Sequence, residues 1–257
     1  MKLASYNING VNGRLAHLLA WLTEAKPDVV CLQELKAPNH RFPQAALKKA
    51  GYRAVYNGQP AHHGVAVLAR DAELLVTRRA LPGDDADTES RYLEVAVRGI
   101  LIGCVYAPNG NPHPGPRFDY KLAWLRRLEV HAASLLAAGV PVALVGDYNV
   151  VPTDADIYDP SSSWRRDALL QPEPRASFQR LLAQGWCDAV RAKHPRARLF
   201  TFWDYKRSAW ERDAGLRLDH FLLSPQLATR LRAAGVDRAR RGLEGASDHA
   251  PAWITLR

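Results

Sequence analysis

The stretch PVALVGDYNVVPTDADI, Pro141 to Ile157, sets an apolar run against an abrupt polar end. Small and branched apolar residues lead directly into Gly-Asp-Tyr-Asn, and more acids follow within a few positions. The apolar part has the character of a strand driven through the interior. On a strand, residues two apart point to the same side, so Asp147 and Asn149 would stand together at its end. A strand running into an ordinary Asx-type turn would look the same, and the choice between a turn and a site rests on the rest of the chain. Asp154 and Asp156 read as loop residues serving local turns.

The 257 residues are 47% apolar and 24% charged, an ordinary globular composition that supports a sizeable core. Lys and Arg exceed Asp and Glu, giving a formal charge of +9. Such an excess suits a polyanionic partner: nucleic acid, an anionic membrane or a phosphorylated substrate. Arg prevails over Lys, and its planar fork matches phosphate oxygens, although an Arg-rich genome would produce the same bias. Cys31, Cys104 and Cys187 are odd in number, widely spaced and mostly set in apolar runs. They fit buried free thiols in a reducing compartment and offer no zinc spacing. The opening MKLASYNING turns polar too soon for a signal peptide, and the uncharged Val130–Gly146 stretch is broken by Gly139 and Pro141. The expectation is a soluble, cytoplasmic protein without a membrane segment, acting as a monomer.

No linker or low-complexity segment interrupts the chain, so residues 1–257 read as one domain. KLASYNI and DVVCLQE read as strands, with a helix over RLAHLLAWLTEA between them and another over PQAALKKAG after them. YRAVYN, GVAVLAR, YLEVAV and ILIGCVYAP follow without room for helices, which predicts one antiparallel meander. The longest helix spans FDYKLAWLRRLEVHAASLLAAG. Phe118, Leu122, Leu125, Leu128, Ala132 and Leu135 recur at three and four, and Gly139 closes it. A later helix around RASFQRLLAQG and strands in FTFWDY, RLDHFLLS and PAWITLR complete an α/β layered sandwich.

Polar residues recur at the ends of these apolar strands. Asn7 follows SY, Glu34 ends VVCLQE, Tyr106 and Asn109 end GCVYAPNG, and Asp219 lies within LRLDHFLLS. ASDHAP adds Asp248 and His249. Any one of these is more often structural, but together with Asp147 and Asn149 they suggest a converging site, and ligands of α/β sheets sit beyond strand ends. Hard oxygen ligands such as Glu34 suit Mg²⁺, which keeps waters and takes one or two carboxylates plus substrate phosphate. An imidazole among carboxylates and amides suits the charge of a phosphoryl transition state. No Ser or Cys sits in a nucleophile-elbow or Cys-His context, which leaves water as the nucleophile. NGNPHPGP lacks the Lys-Ser/Thr of a P-loop. The residues thus point to metal-assisted hydrolysis of a phosphodiester or phosphomonoester.

In their order NING, LQE, VYAPNG, GDYNV, FTFWDY, RLDHFLLS and SDHAP, spanning Asn7 to Pro251, the motifs resemble the exonuclease III family of abasic-site endonucleases. That family lies within the DNase-I-like superfamily. The resemblance implies a four-layered α/β sandwich of two packed mixed β-sheets flanked by helices. It implies Mg²⁺-dependent cleavage 5′ to abasic sites in duplex DNA, with Mn²⁺ as a substitute. Exonuclease activity in the 3′→5′ direction and removal of blocked 3′ ends would accompany it. By position, Glu34 resembles the main metal ligand, with Asn7 beside it and Asp248 as a further contributor. Asp147, Asn149 and His249 would border the metal. Asp147 resembles the acid that orients or deprotonates the attacking water, Asn149 would hold that water or the phosphate, and Tyr106 would contact the phosphate. His249 would donate to a phosphate oxygen, oriented by Asp219. Either Asp147 or the His249–Asp219 pair could be the base.

The aromatic segment FTFWDYKRSAW has two readings. Alternating aromatics on a strand are commonly core, and that is the leading reading for Trp203. In the family, Phe202 and Trp203 lie in the stretch lining a pocket for a flipped-out sugar, with Leu216 and Leu218 nearby. Leu216 stands where some relatives carry Trp, a departure that bears on the pocket's shape. Arg91, Asn109, Arg117 and Lys121 would contact the DNA backbone. Two rival readings are an inositol-phosphate or phospholipid phosphodiesterase of the same fold and a catalytically dead nucleic-acid-binding module. The first shares the Glu, Asp-x-Asn and Ser-Asp-His elements, whereas the second would have no use for Glu34, Asp147, Asp219 and Asp248 together.

Overall fold

A computed structural model describes residues 1–159 and 166–257. Its first half opens with β1 (Lys2–Asn7), α1 (Leu15–Ala25), β2 (Val29–Gln33), α2 (Gln44–Lys49), β3 (Tyr52–Asn57) and β4 (Val65–Arg70). Next come β5 (Leu75–Arg78), β6 (Tyr92–Val97), β7 (Ile100–Tyr106), α3 (Pro116–Ala137) and β8 (Val142–Asp147). The chain continues through α4 (Pro172–Ala183), β9 (Cys187–Asp188), α5 (Ala189–Lys193), β10 (Asp219–Leu223), α6 (Pro225–Ala228), β11 (Leu231–Val236) and β12 (Ala252–Leu256).

The strands form two six-stranded sheets, ordered β11-β12-β1-β2-β4-β3 and β5-β6-β7-β8-β10-β9. The neighbours β1 and β2 are parallel, as are β7 and β8, and the other pairs are antiparallel. Both sheets are therefore mixed. Leu3, Val29, Cys31 and Val67 face Leu93, Ile102, Cys104, Val145 and Phe221 in the core between the sheets. The alternate residues of the same strands are buried too. Ala4, Tyr6, Val30 and Leu32 lie under Leu18, Trp21 and Leu22 of α1. Val105, Leu144 and Leu222 pack with Trp124 and Leu128 of α3 and Phe178 and Leu181 of α4. Strands covered on both faces need apolar side chains at every position, which is why β2 and β8 read as unbroken apolar runs. The result is the expected order of helix, sheet, sheet, helix. Among the described residues no helix is long and apolar enough to cross a membrane.

Two expectations need correction. The predicted meander is split: β3 and β4 pair in one sheet, while β6 and β7 pair in the other. Between them lies β5, an edge strand whose Leu75 is 67% exposed and whose pairing with β6 is shifted at Val76 and Arg78. Apolar alternation reveals a strand but not its partner, and an exposed edge lacks even that signal. In α3 the buried face includes Trp124, Lys121 and His131, whereas Leu122 is only half-buried.

Asp156 closes its local turn, accepting from the Thr153 N–H and hydroxyl at 3.1 and 2.7 Å, but it also does more than that. It is fully buried and accepts from Arg217 Nε at 2.6 Å and from the Arg191 guanidinium. Arg217 reaches Asp188 through both terminal nitrogens, at 3.1 and 2.9 Å, and Asp188 caps α5. Asp154 stays at the surface against Arg175. Burial, the largest influence on Asp156, acts against its charge, yet Arg217 and Arg191 outweigh it and hold the carboxyl below the usual range. Asp188 is lowered likewise, with burial again overcome by Arg217 and His220. Burial and then Arg217 push the neighbouring His220 down to about 4.

All three groups bind protons more readily in the unfolded chain, so their contributions favour folding at neutral pH and disappear with acid. That of His220 is whole above about pH 6.5 and lost on the way to about 4. Those of the two carboxylates are whole above about pH 4 and lost below it. The stability gap between the wild type and Arg217→Met, read by denaturant unfolding, should therefore narrow as the pH falls from neutral toward about 4. Arg217→Met leaves buried Asp188 without its cation and Asp156 with Arg191 alone, and should cost about 3–5 kcal/mol at neutral pH. A variant as stable as the wild type would show that the network does not hold this region.

Candidate active site

The end of β8 is shaped by the closeness of its neighbours. At Gly146 (φ +152°) a Cβ would lie 1.9 Å from Val105 O, so only glycine allows β7 and β8 to pack there. The next register row places Tyr106, Asp147 and Asp219 side by side on β7, β8 and β10. In the facing sheet, β1 and β2 end at Asn7 opposite Gln33, with Glu34 following. Each parallel pair carries its C-terminal end to this one edge, where the polar strand ends converge.

Asn7 Nδ2 donates to Asp147 Oδ2 at 2.9 Å, joining the two sheets. The backbone N–H of Asn149 donates to Asp147 Oδ1 at 2.9 Å, and its Nδ2 donates to Ala107 O. His249 Nδ1 lies 2.8 Å from Asp219 Oδ2, and its Nε2 faces Asp147 Oδ2 at 3.8 Å. Asp219 Oδ1 is buried without a hydrogen-bond partner among the described residues. On the outer side, Glu34 pairs with Lys36 at 2.9 Å, and Lys36 Nζ donates to Asn9 Oδ1. Asn9 Nδ2 in turn donates to Asp248 Oδ1 at 3.0 Å. Both Glu34 (φ +57°) and Asn149 (φ +50°) are left-handed. Such conformations disfavour side-chain-bearing residues and persist where surrounding contacts over-determine them.

The buried charges perturb each other. Burial raises Asp147 to about 7, with Asp219 adding to the rise and His249 opposing it. For His249, burial disfavours the imidazolium, but the charge and hydrogen bond of Asp219 prevail and push it up to about 10. Burial, then Glu34, holds the Tyr106 phenol well above its ordinary value, so its hydroxyl remains a donor. At neutral pH this leaves a protonated imidazole between two acids, one of them poised to give or take a proton.

Glu34 and Asp248 are the site carboxylates that reach solvent, whereas Asp147 and Asp219 are closed in. No group of three His, Cys, Asp or Glu side chains among the described residues could hold an ion unaided. A thin set of hard oxygens nonetheless fits Mg²⁺, which keeps most of its waters. His249 fits the metal shell poorly, since an imidazolium has no lone pair to offer.

The residues expected at the DNA separate into groups. Phe202 is half-buried with its ring 5.1 Å from that of His249. Leu216 and Leu218 pack behind it with Val151, Ile157 and Leu169. Asn109 is exposed and donates to Asn149 Oδ1 at 3.3 Å, and Arg117 is an exposed cation paired with Glu89. Trp203 corrects the pocket reading: it is buried against Trp210, donates to Asp213 and packs with Phe200 and Ala250, apart from the cluster that Phe202 joins. Arg91 is no outward clamp either. It is buried, bonded to Glu89 at 2.6 Å and held 4.9 Å from the Tyr106 ring. Lys121 is fully enclosed, and burial pushes its amine down to about 7.

Several neighbours escaped sequence reading. Asn9, Lys36 and Ser247 lie inside or beside the NING, LQE and SDHAP motifs, but nothing in their type distinguishes them from ordinary loop residues. Ser247 Oγ donates to Asn7 O at 2.7 Å. An open groove of about 860 Å³ lined by Asn111, His113, Arg166, Lys206, Arg207 and Arg212 also went unread, its charges being scattered along the chain.

Comparison with known proteins places these features in context. The chain is 33% identical to exodeoxyribonuclease III of Haemophilus influenzae, with both chains covered in full. Its structure is similar to an AP endonuclease from Archaeoglobus fulgidus, with a TM-score of 0.94, 31% identity and coverage of 100% and 99% of the two chains. A 3′ phosphatase from Neisseria, solved bound to a product DNA hairpin, aligns with a TM-score of 0.93 and 34% identity over 100% and 99%. A family model matching residues 4–249 agrees with all three, and the chain belongs to the endonuclease/exonuclease/phosphatase family.

Proposed function

We propose that this protein is a DNA-repair nuclease that hydrolyses the phosphodiester 5′ to abasic sites in duplex DNA. It would also remove nucleotides 3′→5′ and clear blocked 3′ ends. The observation that carries the proposal is the buried chain Asp219–His249–Asp147, tied by Asn7 across the two sheets. The named activities of the full-length relatives support its direction.

Mg²⁺, with Mn²⁺ as a substitute, would be held by Glu34 with Asn7 and Asp248 close by, and would supply positive charge to the phosphate oxygens. Asp147 takes the proton of the attacking water, since burial brings its basicity near neutral pH. Asn149 orients that water or the phosphate. His249, held protonated by Asp219, donates to a phosphate oxygen, and the Tyr106 hydroxyl offers a second donor. The Phe202 face, backed by Leu216 and Leu218, supplies an apolar wall for a deoxyribose without a base. Arg117 and Asn109 are left to contact the DNA backbone. We place the protein in the cytoplasm as a monomer, in keeping with its free Cys31, Cys104 and Cys187.

A duplex carrying a single synthetic abasic site should be nicked in the presence of Mg²⁺ and left whole with EDTA. Equal cutting of undamaged duplex, or no metal requirement, overturns the reading. Asp147→Asn should lose roughly two to four orders of magnitude in rate while still binding DNA. Near-normal turnover in that variant removes Asp147 from the mechanism. In the wild type, kcat/KM should climb as the pH passes about 7, because Asp147 must shed its proton. A flat profile across that range counts against Asp147 as the base.

A further inference from the structure

Lys121 was expected to hold DNA and cannot, because no part of it reaches solvent. Its Nζ donates to Asn149 O at 2.6 Å, Asn109 O at 2.9 Å and Ala168 O at 3.2 Å. An ammonium has three donors, and here all three end on backbone carbonyls. Those carbonyls belong to three separate segments: the turn after β8, the loop after β7 and the stretch before α4. No carboxylate lies within ion-pairing distance of Lys121 among the described residues. An amine buried among carbonyls with no carboxylate paired to it is costly to charge, and its loss would leave three carbonyls without partners.

The surroundings are fitted to this side chain. Gly110 (φ +92°) passes so close that a Cβ there would lie 2.6 Å from Lys121 Cδ and 3.1 Å from Ala168 Cβ. Asn111 straps the same segments from outside. Its Nδ2 donates to Asp167 Oδ1 and Asn109 Oδ1, and its Oδ1 accepts from Ala168 N. The left-handed turn at Asn149 aims its carbonyl at Lys121 while its N–H meets Asp147 Oδ1. Asn109, held at its own carbonyl, directs Nδ2 to Asn149 Oδ1.

We propose that Lys121 is a positioning residue for hydrolysis, holding the Asn149 turn and the Asn109 loop so that Asp147 and Asn149 keep their places. This rests on the role assigned above to Asp147. The lysine acts from behind the site, through backbone, and touches no substrate.

Lys121→Met keeps the stem and removes the donors. Its single-turnover rate at saturating abasic duplex should fall about 10- to 100-fold, the scale of a misplaced reacting group. The salt dependence of duplex binding should stay at the wild-type value, and any rise in Kd should be smaller than the loss in rate. A rate within about two-fold of the wild type, whatever the change in Tm, overturns the proposal. So does a salt slope reduced by about one, which would mark Lys121 as a direct phosphate contact. Asn111→Ala loosens the same segments without orphaning the buried carbonyls, so it decides the matter if the Met variant does not fold. It should lower the saturating rate more than it raises Kd, and an unchanged rate overturns the proposal. Each variant is read against wild type on the same duplex, so a wild type that cuts no abasic DNA overturns the functional reading separately.

Discussion

The hydrogen bond from Asn7 to Asp147 is the constraint on which the rest of the site depends. Asn7 ends β1 in one sheet, and Asp147 ends β8 in the other. Neither sheet alone holds a working set of groups, because one carries Glu34 and Asn7 while the other carries Tyr106, Asp147 and Asp219. The two must meet within hydrogen-bonding distance, and the apolar layer between them sets that distance. Leu3, Cys31, Cys104 and Val145 are thus part of how the site is built, although none touches it. Close-packed interiors transmit small volume changes, so the spacing of the polar edge follows from the packing beneath it.

The same junction explains how four acids coexist with one imidazole. The carboxylates divide by exposure. Glu34 and Asp248 keep contact with water, and Asp147 and Asp219 give it up. A buried acid keeps its charge only with a partner, and His249 serves both buried acids from its two ring nitrogens. The groups suited to proton transfer are therefore enclosed, and those suited to a hydrated cation are at the mouth. Farther in, the Arg217 network with Asp156 and Asp188 anchors the approach to β10 in a similar manner, with matched charges instead of apolar packing.

The layered fold and the converging strand ends were legible in sequence because both depend on short-range patterns. Strands buried on two faces leave apolar runs, and a polar residue ending such a run is conspicuous. Asp147, Asn149 and Asp219 stand out in this way, and the structure brings them together with His249. Sheet membership was not legible, since β4 and β6 carry the same pattern and differ only in which strand lies alongside. Lys121 misled because a cation near a site loop normally faces solvent, and three backbone carbonyls from distant segments leave no mark in sequence. The part Asp156 plays beyond its own turn is hidden for the same reason: its partner Arg217 is remote in the chain. Trp203 and Phe202 are adjacent letters, and only their packing partners tell them apart.

The place of β12 bears on how the protein comes into being. It lies between β1 and β11, its residues 252–255 paired with residues 2–5, and His249 stands just before it. On that side β1 therefore finds its partner only through β12, the pairing most remote in sequence among the described strands. The imidazole that joins the two buried acids comes from the segment leading into β12. Closing the sheet and coupling the two acids are thus a single folding event.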